Sequence, residues 1–515
     1  MVTQNAGKGS VASPRDATLE PPVQVTDVEK PAIGLLLALA GLSFVAHMLA
    51  AANYGYFRDE LYYIADGHHL QLGYVDQPLL MGWLAALVRV TVGDSLVAIH
   101  IIPALACAAL IVVAGLMARE LGGGRVAQLV AGIAALFTVD FMATGSLFSM
   151  DVLDQLWWTI AALIVARLLR RDAPRLWLLV GLVAAIALLT KLTILFFGLA
   201  LVLALLVTPE RRYLRTRWLW LAGGIAVLGL LPYLIWNTVN GLPTLEFWRH
   251  YAGTHTSPLA FFFAQFGQMN PIAVPLAVAG LVFFFRKTGA RYRLLGWTFV
   301  FVYVVLTLLG TKTYFLAPAY PILFAAGAVV FERWELRPRL AWIRPAYVAL
   351  LALAGILLAP AVMPILPPAT VVHVYGAMEQ VLADRLGWSG LTQTVEQVYA
   401  GLPPAQRAQA CVLTSNYGEA GALNQLAAPG RLPPIISGHN NYYLWGPGTC
   451  TGKVLIGVGY SPADFKTTYA NVVLAAVEKC EYCVSFEQDV PIVVATNPTI
   501  SIDLARLWSS VKHYD

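Results

Sequence analysis

The sequence predicts a polytopic α-helical membrane protein of about eleven transmembrane helices, followed by a small α/β domain outside the membrane. Three observations predict it. Hydrophobic residues make up 58% of the 515-residue chain and charged residues 12%, roughly half the charge that a soluble domain carries. Apolar runs recur near the roughly 20-residue length that crosses a bilayer. After Pro364 the composition turns to ordinary polarity.

In order along the chain, residues 1–30 are polar and rich in small residues. They lack the short apolar core of a signal peptide and are expected to form a disordered cytoplasmic tail. Spans are expected near 31–51, 96–118, 126–147, 152–169, 176–190, 191–207, 218–238, 271–285, 294–310, 314–331 and 345–365. The apolar stretch from Leu176 to Val207 is too long for one crossing, and Thr190-Lys191 marks a turn between two short spans. With the tail inside, five loops place 18 basic residues in the cytoplasm. Arg58, Arg89, Lys191, Arg249 and Lys312 are the five left outside. The positive-inside rule favours this orientation. Residues 79–93 are apolar but short and interrupted by Arg89, so they read as an interfacial helix on the outer leaflet. Counting them as a span would invert every later loop.

Residues 31–366 are therefore expected to form the membrane domain and 367–515 the extracytoplasmic one. About 145 residues suffice for a small domain. Within it CVLTSNYGEAGAL reads as strand, loop and helix, and KVLIGVG and VPIVVAT as buried strands. Cys411, Cys450, Cys480 and Cys483 lie there, and Cys107 lies in a span. An even number in an oxidising compartment predicts one or two disulfides of undetermined pairing, while CEYC also has the spacing of a metal or redox pair.

Ionisable groups gather on the outer side. Residues 56–80 hold Asp59, Glu60, Asp66 and Asp76 with two histidines, one arginine and five aromatic rings. Asp151 and Asp154 flank the mouth of the fourth span, Lys312 and Tyr314 open the tenth, and His250 and His255 occupy the outer loop between the seventh and eighth. Solvated loop groups at the headgroup level are the alternative reading, accepted here for Asp66, Asp94 and Glu246. Lys312 stands outside against the charge bias and abuts an apolar run, where an ionisable group reads as functional.

In order and sidedness, FRDELYY, VDQPLL, SMD and TKTYFLAPAYP resemble motifs of the polyprenyl-phosphate-sugar-dependent membrane glycosyltransferases of the GT-C fold. That group contains the protein O-mannosyltransferases and the aminoarabinose transferases. The resemblance covers about residues 50–330, and SNYGEAGAL and SGHNNYYLWGP look like a bacterial subgroup. It implies an inverting transferase of the cell membrane. A sugar would pass from a polyprenyl-phosphate donor to a hydroxyl on a protein, lipid or envelope-glycan acceptor, with no nucleic acid involved. It implies Asp59 as the base, Glu60 as orienting group or substitute, Asp151 at the donor or the acceptor, and Lys312 and Tyr314 at the donor phosphate. Arg58 is a further phosphate candidate or an interfacial anchor. Two departures shift the burden. Gln77 stands where aminoarabinose transferases carry a lysine, and Tyr62 or Tyr63 where they carry an arginine. A divalent metal ion on Asp76 and His250 is a further expectation, with His255 as the substitute ligand and an ordinary loop histidine as the alternative.

Asn441, Tyr443 and Trp445 in SGHNNYYLWGP combine amides and rings that suit a sugar acceptor, or else form an aromatic core strand and turn. Two competing functions are a secondary transporter, with Lys191 and the outer acids on an ion path, and a non-catalytic carbohydrate-binding membrane protein. Transporters usually repeat one half in the other, and no repeat is visible here.

Overall fold

The structure, a computed structural model, describes residues 30–251, 255–499 and 508–515. The expected tail lies outside them, apart from Lys30. Among the described residues seven helices are long and apolar enough to cross a membrane, or up to ten if each of three bent pairs is one span. The expectation of eleven exceeds this count by the segment 176–190. Its α-helix, Trp177–Thr190, has 14 residues, about 21 Å at 1.5 Å per residue, short of a hydrocarbon core about 30 Å thick. Ile194–Val207 is equally short, and the chain breaks between the two at Lys191, where the turn was expected.

Two other breaks were not foreseen. The third apolar run divides into Arg125–Leu136 and Val139–Gly145, bent by 64°; the Asn270 amide donates to Phe137 O at the break. Pro258–Met269, expected in an outer loop, is a helix bent by 99° from the following apolar segment Pro271–Phe285. It exposes Leu259, Phe262 and Phe263, a surface suited to the membrane interface. Leu80–Thr91 is a separate short apolar helix, as the interfacial reading requires.

Burial separates inner from outer helices. Thr313–Arg333 and Met150–Arg171 are the most enclosed, whereas Arg217–Val239 is only 11% buried and turns Val227, Leu228 and Ile235 outward, as a lipid-facing helix does. At the end remote from the Asp59 loop, buried Glu120 binds Arg167 Nε at 3.0 Å and Arg170 Nε at 2.6 Å. Glu332 there accepts from the Gly124, Val126 and Ala127 amides. Glu332 thus satisfies orphan amides at the start of Arg125–Leu136 that hydrocarbon would leave unpaired, and the arginines compensate the buried Glu120 charge.

The C-terminal part contains a five-stranded sheet in the order β2-β1-β3-β5-β4, with β1 Ala410–Thr414, β2 Ile435–Ser437, β3 Val454–Val458, β4 Tyr469–Lys479 and β5 Asp489–Pro498. Parallel pairing joins β2, β1 and β3, and antiparallel pairing joins β3, β5 and β4. The strands read as β1, β3 and β5 are present. β4 escaped notice because its alternation is masked by exposed Val473, Leu474 and Val477. Cys411 bonds Cys450, and Cys480 bonds Cys483, so CEYC is a disulfide loop in this structure.

Helix Tyr417–Leu426 joins the two parts by packing on Arg58–His68. Gly418 and Gly421 sit one turn apart and make the approach possible. A Cβ on Gly418 would lie 2.4 Å from Arg58 Cγ, and one on Gly421 2.8 Å from Leu61 Cβ. Asn416 caps this helix, accepting from Glu419 N at 3.0 Å, while Glu419 returns an acceptor to Asn416 N, a reciprocal capping box.

Candidate active site

The loop after the first span folds as the helix Arg58–His68, so Asp59 and Glu60 fall in its first turn, where negative charge suits the helix dipole. Their fates differ. Asp59 keeps 31% of its side chain exposed, and its Oδ1 accepts the Tyr417 hydroxyl at 2.8 Å. Glu60 is fully buried. Its oxygens take the Phe57 amide at 2.8 Å, the Phe148 amide at 2.7 Å and His100 Nε2 at 2.8 Å. Burial works against the Glu60 charge, but the His100 pair and these donors outweigh it and hold its carboxyl below the usual range. The expected catalytic role of Glu60 is corrected accordingly: both its oxygens are buried and hydrogen-bonded, and the residue joins the segment before Asp59 to the segment before Asp151.

Around Asp59 stand three phenols. Tyr62 stacks on Tyr417 at 4.6 Å between centroids and donates to Asp76 Oδ1 at 3.0 Å. Tyr63 lies in the field of Asp59, Asp76 and Asp151 together. Burial first, and these carboxylates second, raise all three phenols well above the usual range, so they remain hydrogen-bond donors. Asp76 is pushed up to about 7 by burial and then by the charge on Asp59. Asp66, read as a solvated loop group, is instead fully buried and raised by burial. It accepts from Gln77 Nε2 at 2.8 Å and Asn441 Nδ2 at 3.0 Å.

A linkage consequence follows for Asp76. In the window from about 4 to about 7 the folded state holds a proton that the unfolded chain gives up, so stability falls as pH rises through it. Asp76→Asn keeps an acceptor for Tyr62 and removes this titration. The drop in Tm between about pH 5 and about pH 7.5 should shrink by about 2–4 °C in the variant. Equal drops in wild type and variant would refute the assignment.

Asp151 lies in the first turn of Met150–Arg171, which Ser149 caps, and it pairs with Lys191 Nζ. Lys191 is mostly buried at the break between the two short helices. Its ammonium stands 5.3 Å from the Tyr314 ring centroid and 4.7 Å from that of Phe315. Lys191 is thus the cation beside Asp151 and Tyr314. Lys312, expected in that place, is exposed at the start of Thr313–Ala319. A lone lysine between two 14-residue apolar helices was the available signal; it was read as a turn marker and an ion-path residue. Close by, Gln155 donates to Asp140 at 2.7 Å and Gln268 to Thr313 at 2.6 Å.

Arg58 lies 4.0 Å from Asp59 and 3.8 Å from Asp384, over the Tyr417 and Phe486 rings. The SGHNNYYLWGP residues make contacts within the protein. They form a short helix, Asn440–Trp445, rather than a strand. Asn441 is fully buried, accepting from Val75 N at 2.8 Å and donating to Asp66. Trp445 stacks on His69 at 4.2 Å, and Tyr443 packs on Trp508 and Tyr514. Asn441 and Trp445 join the C-terminal part to the first outer loop.

The metal expectation does not fit its residues. His250 is exposed, with Nδ1 directed at Glu246 O, and acts on the charge of Asp515. Among the described residues the group whose three ligand atoms lie within 4.8 Å is His439, His513 and Asp515, without Asp76, His250 or His255. His513 directs both ring nitrogens at backbone carbonyls, Val511 O at 2.9 Å and Ser415 O at 3.0 Å. His439 directs Nε2 at Asp515. No chemical step below uses a metal.

The chain thus combines broken apolar helices, acids gathered around Tyr63 and a small sheet domain packed on the Asp59 helix, and comparison with known proteins shows what this arrangement is similar to. The family described as dolichyl-phosphate-mannose-protein mannosyltransferase matches residues 76–236. The lipid A galacturonosyltransferase RgtD of Rhizobium johnstonii (strain DSM 114642 / LMG 32736 / 3841) is 27% identical over 309 residues, which is 58% of this chain. The match spans 65% of that relative's length. The fold is similar to ArnT from Cupriavidus metallidurans bound to undecaprenyl phosphate, with TM-score 0.58 and 14% identity over 90% of this chain and 98% of that one. The apo state of ArnT gives TM-score 0.57 and 15% identity over 92% and 99%.

Proposed function

We infer that this chain transfers a sugar from a polyprenyl-phosphate donor to an acceptor hydroxyl at the outer face of the cytoplasmic membrane, inverting the anomeric carbon. The observation that carries the reading is Asp59, partly exposed and aligned by the Tyr417 hydroxyl, sharing the field around Tyr63 with Asp151, which in turn holds Lys191. These contacts support a base at Asp59 and a cation at Lys191 that act on one site. The Asp59 contacts with Tyr417 and Arg58 reach Oδ1, so Oδ2 is the oxygen that takes the acceptor proton. As that proton leaves, the acceptor oxygen bonds the anomeric carbon, and the bond from that carbon to the phosphate oxygen breaks with its electron pair. Polyprenyl phosphate departs as an anion. Lys191 stabilises the growing charge, with Lys312 nearer the water, because a preorganised cation in a dry site is worth more than one in solvent.

In this reading residues 31–366 form the transferase domain and 367–515 an extracytoplasmic domain that closes over it through Tyr417. The N-terminus is cytoplasmic, on the charge asymmetry of the loops. A lipid-linked donor is supported by the ArnT complex with undecaprenyl phosphate, and an envelope-lipid acceptor by the name of RgtD. Protein and glycan acceptors remain the alternatives.

Mass spectrometry of lipid-linked sugars and envelope glycans in a deletion strain tests the whole reading. A lipid-linked sugar should accumulate and one glycan modification should disappear, both reversed by the wild-type chain but not by Asp59→Asn. Identical profiles with and without the chain would overturn it.

A further inference from the structure

Arg385 is 1% exposed, among the largest fully buried side chains of the protein. A buried guanidinium ordinarily meets a carboxylate. Here its hydrogen bonds go to backbone carbonyls: Nε donates to Gly55 O at 3.1 Å, Nη1 to Ser146 O at 3.1 Å and Nη2 to Asn53 O at 3.5 Å. These carbonyls belong to two outer loops far apart in sequence. Asn53 and Gly55 precede Arg58-Asp59, whereas Ser146 ends Val139–Gly145 shortly before the Ser149 cap and Asp151.

The first of these loops needs holding. Tyr54 has φ 71° and Gly55 φ 130°, and a non-glycine residue in the left-handed region persists only where its surroundings fix it. The linker after the last span helps, since Asn53 donates to Pro364 O at 2.8 Å and Tyr54 to Leu366 O at 2.5 Å. Glu60 works between the same two loops, taking the Phe57 and Phe148 amides. It lies in the field of Arg385. One buried anion gathers amides and one buried cation gathers carbonyls, from the two segments that carry Asp59 and Asp151. The planar fork of arginine suits three acceptors at fixed angles, which a lysine ammonium matches poorly.

The geometry points to Arg385 as a positioning residue of the transfer site: reaching in from the C-terminal part, it sets the separation between the Asp59 loop and the Asp151 loop. This role rests on the transferase reading. Misplacing reacting groups by about 1 Å costs on the order of 100-fold in rate, so a side chain that touches no substrate can govern turnover.

The test uses the full chain in lipid nanodiscs, with Arg385→Met and Arg385→Lys beside wild type. Three quantities are measured: amide hydrogen exchange, undecaprenyl-phosphate affinity, and transfer kcat and KM. Arg385→Met should speed exchange in residues 53–60 and 146–151 alone and lower kcat by roughly 10- to 100-fold. It should leave the lipid Kd within about threefold, since Lys191 is untouched. Arg385→Lys should restore part of kcat and part of the protection. Unchanged exchange in both segments would overturn the proposal, as would wild-type kcat in the methionine variant. Faster exchange throughout the chain in both variants, with lipid affinity lost, would also overturn it by making Arg385 a general stability residue. If the wild-type chain shows no transfer, the transferase reading fails, and the exchange comparison still decides whether Arg385 holds the two loops.

Discussion

Asp59→Asn is expected to lower transfer by about 100-fold or more while leaving donor binding nearly unchanged. The amide keeps the shape and still offers an oxygen to the Tyr417 hydroxyl, which reaches Asp59 Oδ1 at 2.8 Å, but it cannot take a proton. Loss in kcat with an unaltered lipid Kd is therefore the signature of a missing base. A purified, folded Asp59→Asn chain with wild-type turnover would remove Asp59 from the mechanism. Tyr417 separates the base from its support: Tyr417→Phe withdraws the donor from Asp59 without touching the carboxylate, so its loss should be much smaller than that of Asp59→Asn.

Hydropathy and charge asymmetry made the membrane class legible, because a bilayer imposes length and polarity on each crossing independently of the others. The acids between the spans were visible as breaks in that pattern. Their individual fates were not. Asp59 and Glu60 are neighbours, yet one is partly exposed and the other buried beneath His100 and Phe148, a distinction set by contacts 40 and 88 residues away. Asp66 and Asn441 looked like a surface acid and a sugar-binding amide. They bind each other across 375 residues instead, and no local pattern encodes such a pair. Gly418 and Gly421 in the quoted NYGEAGAL motif carried a signal of close helix approach. Only the placement of Leu61 and Arg58 against them says which helix approaches. Arg385 was invisible because an arginine in a linker after the last span reads as solvated.

The lysines give the sharpest contest between sequence and structure. Lys312 stands out by charge bias, but it is exposed, and a solvated ammonium stabilises a phosphate weakly because water screens it. Lys191 is 12% exposed, pairs with Asp151 and faces the Tyr314 and Phe315 rings, a desolvated setting where one cation stabilises developing charge far more. Lys191→Ala is therefore expected to lower kcat by roughly 100- to 1,000-fold, the range seen when one preorganised donor to a developing anion is removed. Undecaprenyl-phosphate affinity should weaken with it. Lys312→Ala should cost about tenfold or less, chiefly in affinity and more at low salt than at high salt. Lys191→Arg should rescue poorly, since a larger planar fork must fit where a compact ammonium meets Asp151. Removing the lysine also leaves Asp151 without its partner, so Lys191→Ala combined with Asp151→Asn is the control for a misplaced carboxylate. If the double variant recovers turnover, the lysine served to neutralise Asp151; if it remains as impaired as Lys191→Ala, the ammonium acts on the phosphate. Should Lys312→Ala prove the more damaging single change, the leaving group sits nearer the water than the buried pair implies, and the order of the two lysines is reversed.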